Sequence, residues 1–456
     1  MEDETSSPAY ELLCPVGYGN STRCGYCGAR GESRPKRYSY YVTAISLSPR
    51  FYQTLLDRCW RRSGTLLYRP NQRQACCPHY TIRLDSSQFK PSRDQRQTVN
   101  RFNRFILGDL YIKETTRLYP RSKAETKKRD NEFVLTERVH EAEHVNLKRP
   151  PEPAHKLVVT LEDDSFTEEK FQVYDNYQKV VHHEAPEDRT RRGFERFLCS
   201  SPLRRQTIMT PEGREKRLGS YHQCYRIDGK LVAIGVLDLL PDCVSSVYLL
   251  YHESFHKYAP GKLGALFEIS LAREGGYRWW YPGFYIHNCP KMRYKIDYAP
   301  QYILDPEALT WNPLDDEVLR LLDKKPFVSM HLEKKAATDD ATGDLDDGDA
   351  NVKIPEPAIK VQEEESSDGE GQDDTYLLKS DMPGIPSLSE MAELDLDHIA
   401  LKIWDNGPLL ETCDLVGWED QEITDWPCTK ASIAEMVAAL GPDLAGQICL
   451  ASSSRS

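Results

Sequence analysis

The sequence predicts an α+β protein with two folded parts and an acidic C-terminal extension. Three observations predict it. Residues 1–108 are rich in Cys, Tyr and Arg; residues 156–334 alternate helix-like and strand-like patterns; and the charge divides sharply along the chain. Residues 335–456 carry 7 Lys+Arg against 28 Asp+Glu, a net of −21, which leaves the first 334 residues at +9. A basic body with an acidic tail is a pattern found in nucleic-acid binders. With 39% hydrophobic and 10% aromatic residues the composition is that of a globular protein. No run of 18 apolar residues occurs, so no membrane span is expected. The acidic start, MEDETSSPAYELL, has no signal-peptide pattern. The expected place is the cytoplasm, extending to the nucleus, and the expected state is a monomer.

In the first part, Ser48-Pro49 predicts a helix start and Gly64 its end. Arg58, Arg61 and Arg62 then fall in its last turns. A second helix begins at Ser92, with Gln95 completing a capping box and Val99, Phe102, Phe105 and Ile106 as its apolar face; Gly108 closes it. Arg101 and Arg104 lie on its other sides. Residues 109–155 read as a charged linker with some helix near 131–145. In the second part, Ser165 and Glu168 predict a helix to about 183, and a short one follows near 190–199. Tyr221–Ile227 and Leu231–Leu239 read as strands joined by the two-residue turn Asp228-Gly229. Val244–Tyr251 is a third strand, Leu263–Arg273 a helix, and Arg278–His287 a fourth strand. That strand–helix–strand crossover implies a parallel pair. Residues 335–376 are acidic, of low complexity, and expected to be disordered. Apolar spacing returns over 377–456, a partly helical extension expected to dock on the body.

Cys24-Gly25-Tyr26-Cys27 and Cys76-Cys77-Pro78-His79 offer four thiolates from two short segments. Such a set can close a site for zinc or an iron–sulfur cluster. Spacing alone leaves open a lone C-x-x-C beside two buried thiols. Cys14 and His79 are spare ligands.

The segments Cys24–Cys27, Trp60–Gly64 and Cys76–Arg83 resemble the N-terminal domain of arginyl-tRNA–protein transferases, in order and distance. The likeness continues through Tyr221-His222-Gln223, Gly235–Asp238, Val244–Tyr248, Gly283–His287 and Cys289–Lys295, spanning about 10–315. The end of the chain resembles fungal members. The resemblance implies an N-terminal Cys-rich metal-binding domain over 1–108, a linker over 109–155, and a catalytic domain over 156–334. That catalytic domain should be similar to the N-acetyltransferase (GNAT) superfamily. It implies that Cys24, Cys27, Cys76 and Cys77 hold a zinc ion or an iron–sulfur cluster. It implies an aminoacyltransferase that moves arginine from arginyl-tRNA to proteins starting with Asp, Glu or oxidised Cys, marking them for ubiquitin-dependent degradation. The family commonly has Tyr-Asp-Pro-Asp where this chain has Tyr251-His252-Glu253-Ser254, so a carboxylate that helps hold the arginyl group is absent or moved here, with Glu253 as its stand-in.

Aminolysis of an aminoacyl ester sets four needs. The tRNA acceptor arm needs cations: Arg58, Arg61, Arg62, Arg101, Arg104 and Lys291 are the candidates. The arginyl side chain needs a carboxylate: Asp238, with Glu253 and Glu268 as alternatives. An acidic N-terminus needs polar and cationic partners: His222, Gln223, Arg293 and Lys295. The tetrahedral intermediate and leaving oxygen need donors: Tyr248, Tyr251, Tyr285 and His287. Two other functions compete. Gly261–Ala265 before a helix is a partial phosphate loop for an acetyl-CoA-dependent acetyltransferase. A metal-stapled adaptor that binds acidic N-termini or RNA without chemistry also fits the basic body.

Overall fold

The computed structural model describes residues 10–21, 24–27, 37–342, 375–404 and 407–451. In chain order the strands are β1 (Glu11–Ser21), β2 (Arg37–Ser46), β3 (Arg61–Ser63), β4 (Leu66–Pro70), β5 (Tyr80–Asp85), β6 (Leu157–Asp163), β7 (Gln206–Met209), β8 (Glu215–Ile227), β9 (Lys230–Leu239), β10 (Cys243–Tyr251), β11 (Trp279–Tyr281), β12 (Phe284–Tyr285), β13 (Gln301–Leu304), β14 (Trp311–Pro313), β15 (Ala400–Lys402), β16 (Leu410–Glu411) and β17 (Ile448–Ala451). They form two sheets. The first is seven-stranded, in the order β16-β15-β17-β1-β2-β4-β3. The second has ten strands along β14-β13-β5-β11-β10-β9-β8-β6, with β12 on β5 and β7 on β8. The mixed α+β class is as expected.

Local rules account for many elements. Ser48 accepts from Phe51 N–H and starts α1 (Pro49–Leu56). The Ser48 hydroxyl and amide also donate to Glu11, which Arg204 neutralises, so one cap ties β1 to the second part of the chain. The helix α1 ends eight residues earlier than Gly64. Cys59 takes a left-handed φ of 66° and turns the chain into the β3–β4 hairpin, with Gly64 at its tip. A Cβ on Gly64 would fall 2.1 Å from the Arg196 carbonyl, so only glycine fits there. α2 (Arg93–Leu107) carries the expected Ser92–Gln95 capping box.

The charged 109–155 segment is largely helical: α3 (Asp109–Leu118), α4 (Lys123–Asn131) and α5 (Leu135–Val139). α4 has no apolar face to reveal it; it rests on a Ser122–Glu125 capping box and helix-favouring Lys, Ala and Glu. α6 (Glu168–Tyr177) is capped by Thr167, not by Ser165. α7 (Arg191–Phe194) follows, and both helices widen into π turns, at Gln178–His182 and Glu195–Cys199. Asp228 and Gly229 both have positive φ, as the two-residue turn between β8 and β9 demands. α8 (Pro260–Glu274) makes the β10–β11 crossover, and that pair is parallel. Gly264 lets α8 approach the sheet: a Cβ there would lie 3.1 Å from Leu249. The strand expected over 278–287 is broken at Pro282-Gly283, where Gly283 has φ +82°.

Helices α2, α5 and α8 pack one face of the second sheet around Leu237, Leu266 and Trp280; α6 and α7 pack the other around Ile234 and Leu250. α9 (Pro290–Arg293) follows β12, and α10 (Asp316–Lys324) follows β14, then α11 (Met330–Thr342). Residues 336–342, inside the stretch expected to be disordered, continue α11; the rest of that expectation, 343–374, lies outside the described residues. α12 (Leu388–Ala392) and α13 (Thr429–Leu440) belong to the last part of the chain, whose Ile433, Met436 and Val437 join the core of the first sheet. Residues 80–85, well before position 108, supply β5 to the second sheet, so the first 108 residues feed both sheets.

Candidate functional site

The Cys24–Cys27 turn and the loop before β5 bring four sulphurs together. One sulphur atom from each of Cys24, Cys27, Cys76 and Cys77 lies within 4.8 Å of all the others, and Cys27 and Cys76 are 3.8 Å apart. Cys24 and Cys77 are buried, and the group packs on Ile286, Cys289 and Met292. Burial opposes ionisation of Cys24, but the N–H groups of Cys27 and Tyr26 outweigh it and bring the thiol down to about 7. Burial and the neighbouring sulphurs push Cys76 up to about 11. Four crowded thiols cannot all ionise without a cation among them, and an all-sulphur donor set suits a soft metal. The group therefore fits a metal. Cys14 lies on β1 and His79 packs edge-on against Tyr26 and Phe284; neither belongs to the cluster.

The chain that covers this centre, residues 284–295, also walls a cleft. β10 and β11 pair over Cys243–Ser245 and Trp279–Tyr281 only; beyond that the chain leaves through Pro282-Gly283 and returns as β12 on β5. β10 itself kinks, with a bulge between Ser246 and Tyr248. The two strands thus splay apart at the C-terminal half of β10.

Glu268 of α8 lies at the base of the splay, 2% exposed, accepting from Trp280 Nε1 at 2.8 Å and Ser246 Oγ at 3.3 Å. Burial pushes its carboxyl up to about 7, against the pull of these donors and of Lys295. Lys295 is buried too and donates to the Phe284 carbonyl at 2.7 Å; burial, with help from Arg61, drags it down to about 7. Gly235 and Gly283 leave room beside both heads. A Cβ would sit 3.6 Å from Glu268 Oε1 in one case and 3.5 Å from Lys295 Nζ in the other.

The rim is aromatic. The rings of Tyr248 and Tyr251 meet Tyr177 edge-on at 6.1 and 4.9 Å; their hydroxyls reach His182 at 3.0 Å and His256 at 3.2 Å. Burial raises both tyrosines and lowers His182, which also feels Lys291. Tyr294 feels the charge of Glu268, and Tyr177 feels Tyr294 in turn.

The structure redistributes the residues singled out from sequence. Lys295 lies on the floor, Gln223 beside Gly235, and Tyr248, Tyr251 and Lys291 at the rim. Lys291 and Arg293 of α9 are exposed, as are Arg101 and Arg104, the last on Asp109. Arg62 and Asp238 are spent on each other in a buried bidentate pair at 2.7 and 2.8 Å, so neither can meet a phosphate or a guanidinium. Arg61 is buried over the Phe284 and Tyr281 rings, and Arg58 holds Asp443 and the Leu440 carbonyl. His222 is fully buried on the Leu198 carbonyl, and burial brings it down to about 4, so it stays neutral before an acidic substrate. Glu253 is exposed on a surface turn. Tyr285 turns away from the splay into the core against α10; its hydroxyl meets His287 at 2.7 Å, which meets Asp323 at 2.7 Å. Sequence reasoning missed Ser246, Tyr177 and His182, and ranked Glu268 behind Asp238. The signal was present: Glu268 is the one carboxylate buried on a helix whose inward positions are otherwise apolar or small.

The fold and site define a mixed α+β protein in which four converging cysteines pack beside a segment that carries a buried lysine, near a buried acid. Two family models match it: "Arginine-tRNA-protein transferase, N terminus" over residues 22–97 and "Arginine-tRNA-protein transferase, C terminus" over 169–305. The chain belongs to this family. Arginyl-tRNA–protein transferase 1 of Drosophila melanogaster is 27% identical over 427 residues, covering 71% of this chain and 86% of the relative. Its Saccharomyces cerevisiae namesake is 28% identical over 340 residues, covering 66% and 63%. An aspartate/glutamate leucyltransferase of Pseudomonas fluorescens is 27% identical over 255 residues, covering 56% and 79%.

Proposed function

We propose that this chain transfers arginine from arginyl-tRNA to the N-terminal α-amine of proteins that begin with Asp, Glu or oxidised Cys. One observation carries the proposal: in a chain of this family, a buried carboxyl and a buried lysine lie at the splay beside β10, with exposed cations on α9. An antiparallel meander that ends in a bulged strand splayed from a parallel neighbour is also the arrangement a GNAT-like acyltransferase uses, which supports that reading of the second sheet.

The reaction joins an ester carbon to an amine. An N-terminal amine has a pKa of about 8, so a useful fraction is neutral at pH 7 and no strong base is required. Holding ester and amine together supplies much of the rate. Tyr248 and Tyr251, raised by burial, keep their protons at neutral pH and can donate to the developing oxyanion or the ribose oxygen. Lys291 and Arg293 lie exposed on α9, where they can receive the acidic side chain; the name of the leucyltransferase relative supports an acidic acceptor. Lys291, Arg101 and Arg104 remain as cations for tRNA phosphates.

The metal is a structural tie. Four thiolates bound at about 2.3 Å around one ion would stand about 3.8 Å apart. All four sulphurs lie within 4.8 Å of one another, close to that spacing, which favours a single ion such as zinc over a larger cluster. Such an ion would fix the 284–295 segment that carries the cleft wall. The acetyltransferase alternative is less well supported, because Gly264 is accounted for by packing against Leu249.

The test mixes purified protein with labelled arginyl-tRNA and peptides beginning with Asp, Asn or Ala. Label is expected in the Asp peptide at least tenfold above the others. Equal labelling would remove the acidic-acceptor assignment, and no labelling would remove the proposed activity.

A further inference from the structure

A buried carboxylate is costly unless a cation meets it. Asp238 has Arg62, and Glu11 has Arg204. Glu268 has two neutral donors, and among the described residues no Lys, Arg or His closes an ion pair with it. Lys295 feels its charge but gives its hydrogen bond to the Phe284 carbonyl. The carboxylate therefore lacks a cation, the indole of Trp280 lies against it, and Gly235 leaves a methyl-sized space beside its Oε1. A guanidinium is the cation that suits both features: it is planar, pairs with carboxylates and stacks on aromatic rings.

We propose that Glu268 is the specificity carboxylate for the arginyl group, receiving the guanidinium of arginyl-tRNA at the base of the splay. The assignment rests on the proposed transfer reaction, and it replaces Asp238 and Glu253 in that role. Once the guanidinium docks, Glu268 is held ionised, and the ester is left toward the tyrosine hydroxyls. A neutral side chain such as leucine would leave the carboxyl buried and unmatched, which is how the site would reject it.

The experiment measures binding, so that it does not depend on turnover. Affinities of the metal-loaded full chain are measured for one tRNA, uncharged and arginylated, with the wild type, E268Q and G235A. The alanine enters ordinary van der Waals contact at 3.6 Å from Oε1 and 3.7 Å from Gln223, at a position without positive φ, so it fills the space without straining the fold. The wild type should bind the arginylated form tenfold to a hundredfold more tightly, as a charge-assisted hydrogen bond provides. Both variants should lose that preference to within about twofold, with binding of uncharged tRNA unchanged. A preference retained by E268Q, or absent from the wild type, would overturn the assignment. A wild type that prefers arginyl-tRNA but transfers nothing would sink the transfer reaction and leave the assignment standing.

Discussion

At the residue scale, the outcome turns on which buried charges find partners. Asp238 lies at the end of a buried strand, as its sequence pattern indicates, yet its partner Arg62 is 176 positions away and invisible to local reasoning. A buried pair of this kind neutralises two charges that would otherwise have to stay in water. Glu435 of α13 shows the opposite case. Its Oε1 accepts from Leu377 N–H, its Oε2 meets no donor among the described residues, and burial pushes it up to about 8. A raised carboxyl contributes stability while protonated. That contribution is complete below the unfolded value near 4.5 and disappears as pH rises through about 8. Glu435→Gln should therefore match the wild type at pH 4 and exceed it increasingly as pH rises, by roughly 4 kcal/mol at pH 8.5 in urea unfolding. A constant difference across that range would mean that Glu435 does not titrate there.

At the scale of elements, capping and turn chemistry were legible and long-range pairing was not. The Ser48 and Ser92 caps, the Asp228-Gly229 turn and the parallel β10–β11 pair follow from a few residues each. The hairpin after Cys59, the splay after Tyr281 and the placement of β5 depend on distant chain, and no local pattern announces them. The cysteines are an intermediate case. Spacing suggested a site, and only the fold shows that all four sulphurs converge. Replacing Cys76 and Cys77 together by Ser should remove the bound metal, read by elemental analysis, and lower transfer by loosening the 284–295 segment. Full metal content in that variant would contradict the ligand assignment.

At the scale of the whole molecule, the C-terminal part is a structural member of the first sheet. β17 lies between β15 and β1, and pairs with both in parallel. Arg69, buried in β4, donates to the carbonyls of Ala439, Pro383 and Gly384, and Trp60 donates to Ala439. Removing residues 377–456 would strip one side from the core that holds Trp60 and Leu13 and leave Arg69 without acceptors. The truncated chain should be insoluble or unfold at least 10 °C lower, since a loss of a few kcal/mol shifts the midpoint by that order. An unchanged melting temperature would show the extension to be dispensable.

The most direct measurement is a single turnover with the protein in excess over labelled arginyl-tRNA, sampled with and without a peptide that begins with aspartate. Label should leave the tRNA and appear on the peptide α-amine, at a rate that saturates with peptide and vanishes when the amine is acetylated. Label that stays on the tRNA, or is released as free arginine at the same rate with and without peptide, would contradict the proposed transfer.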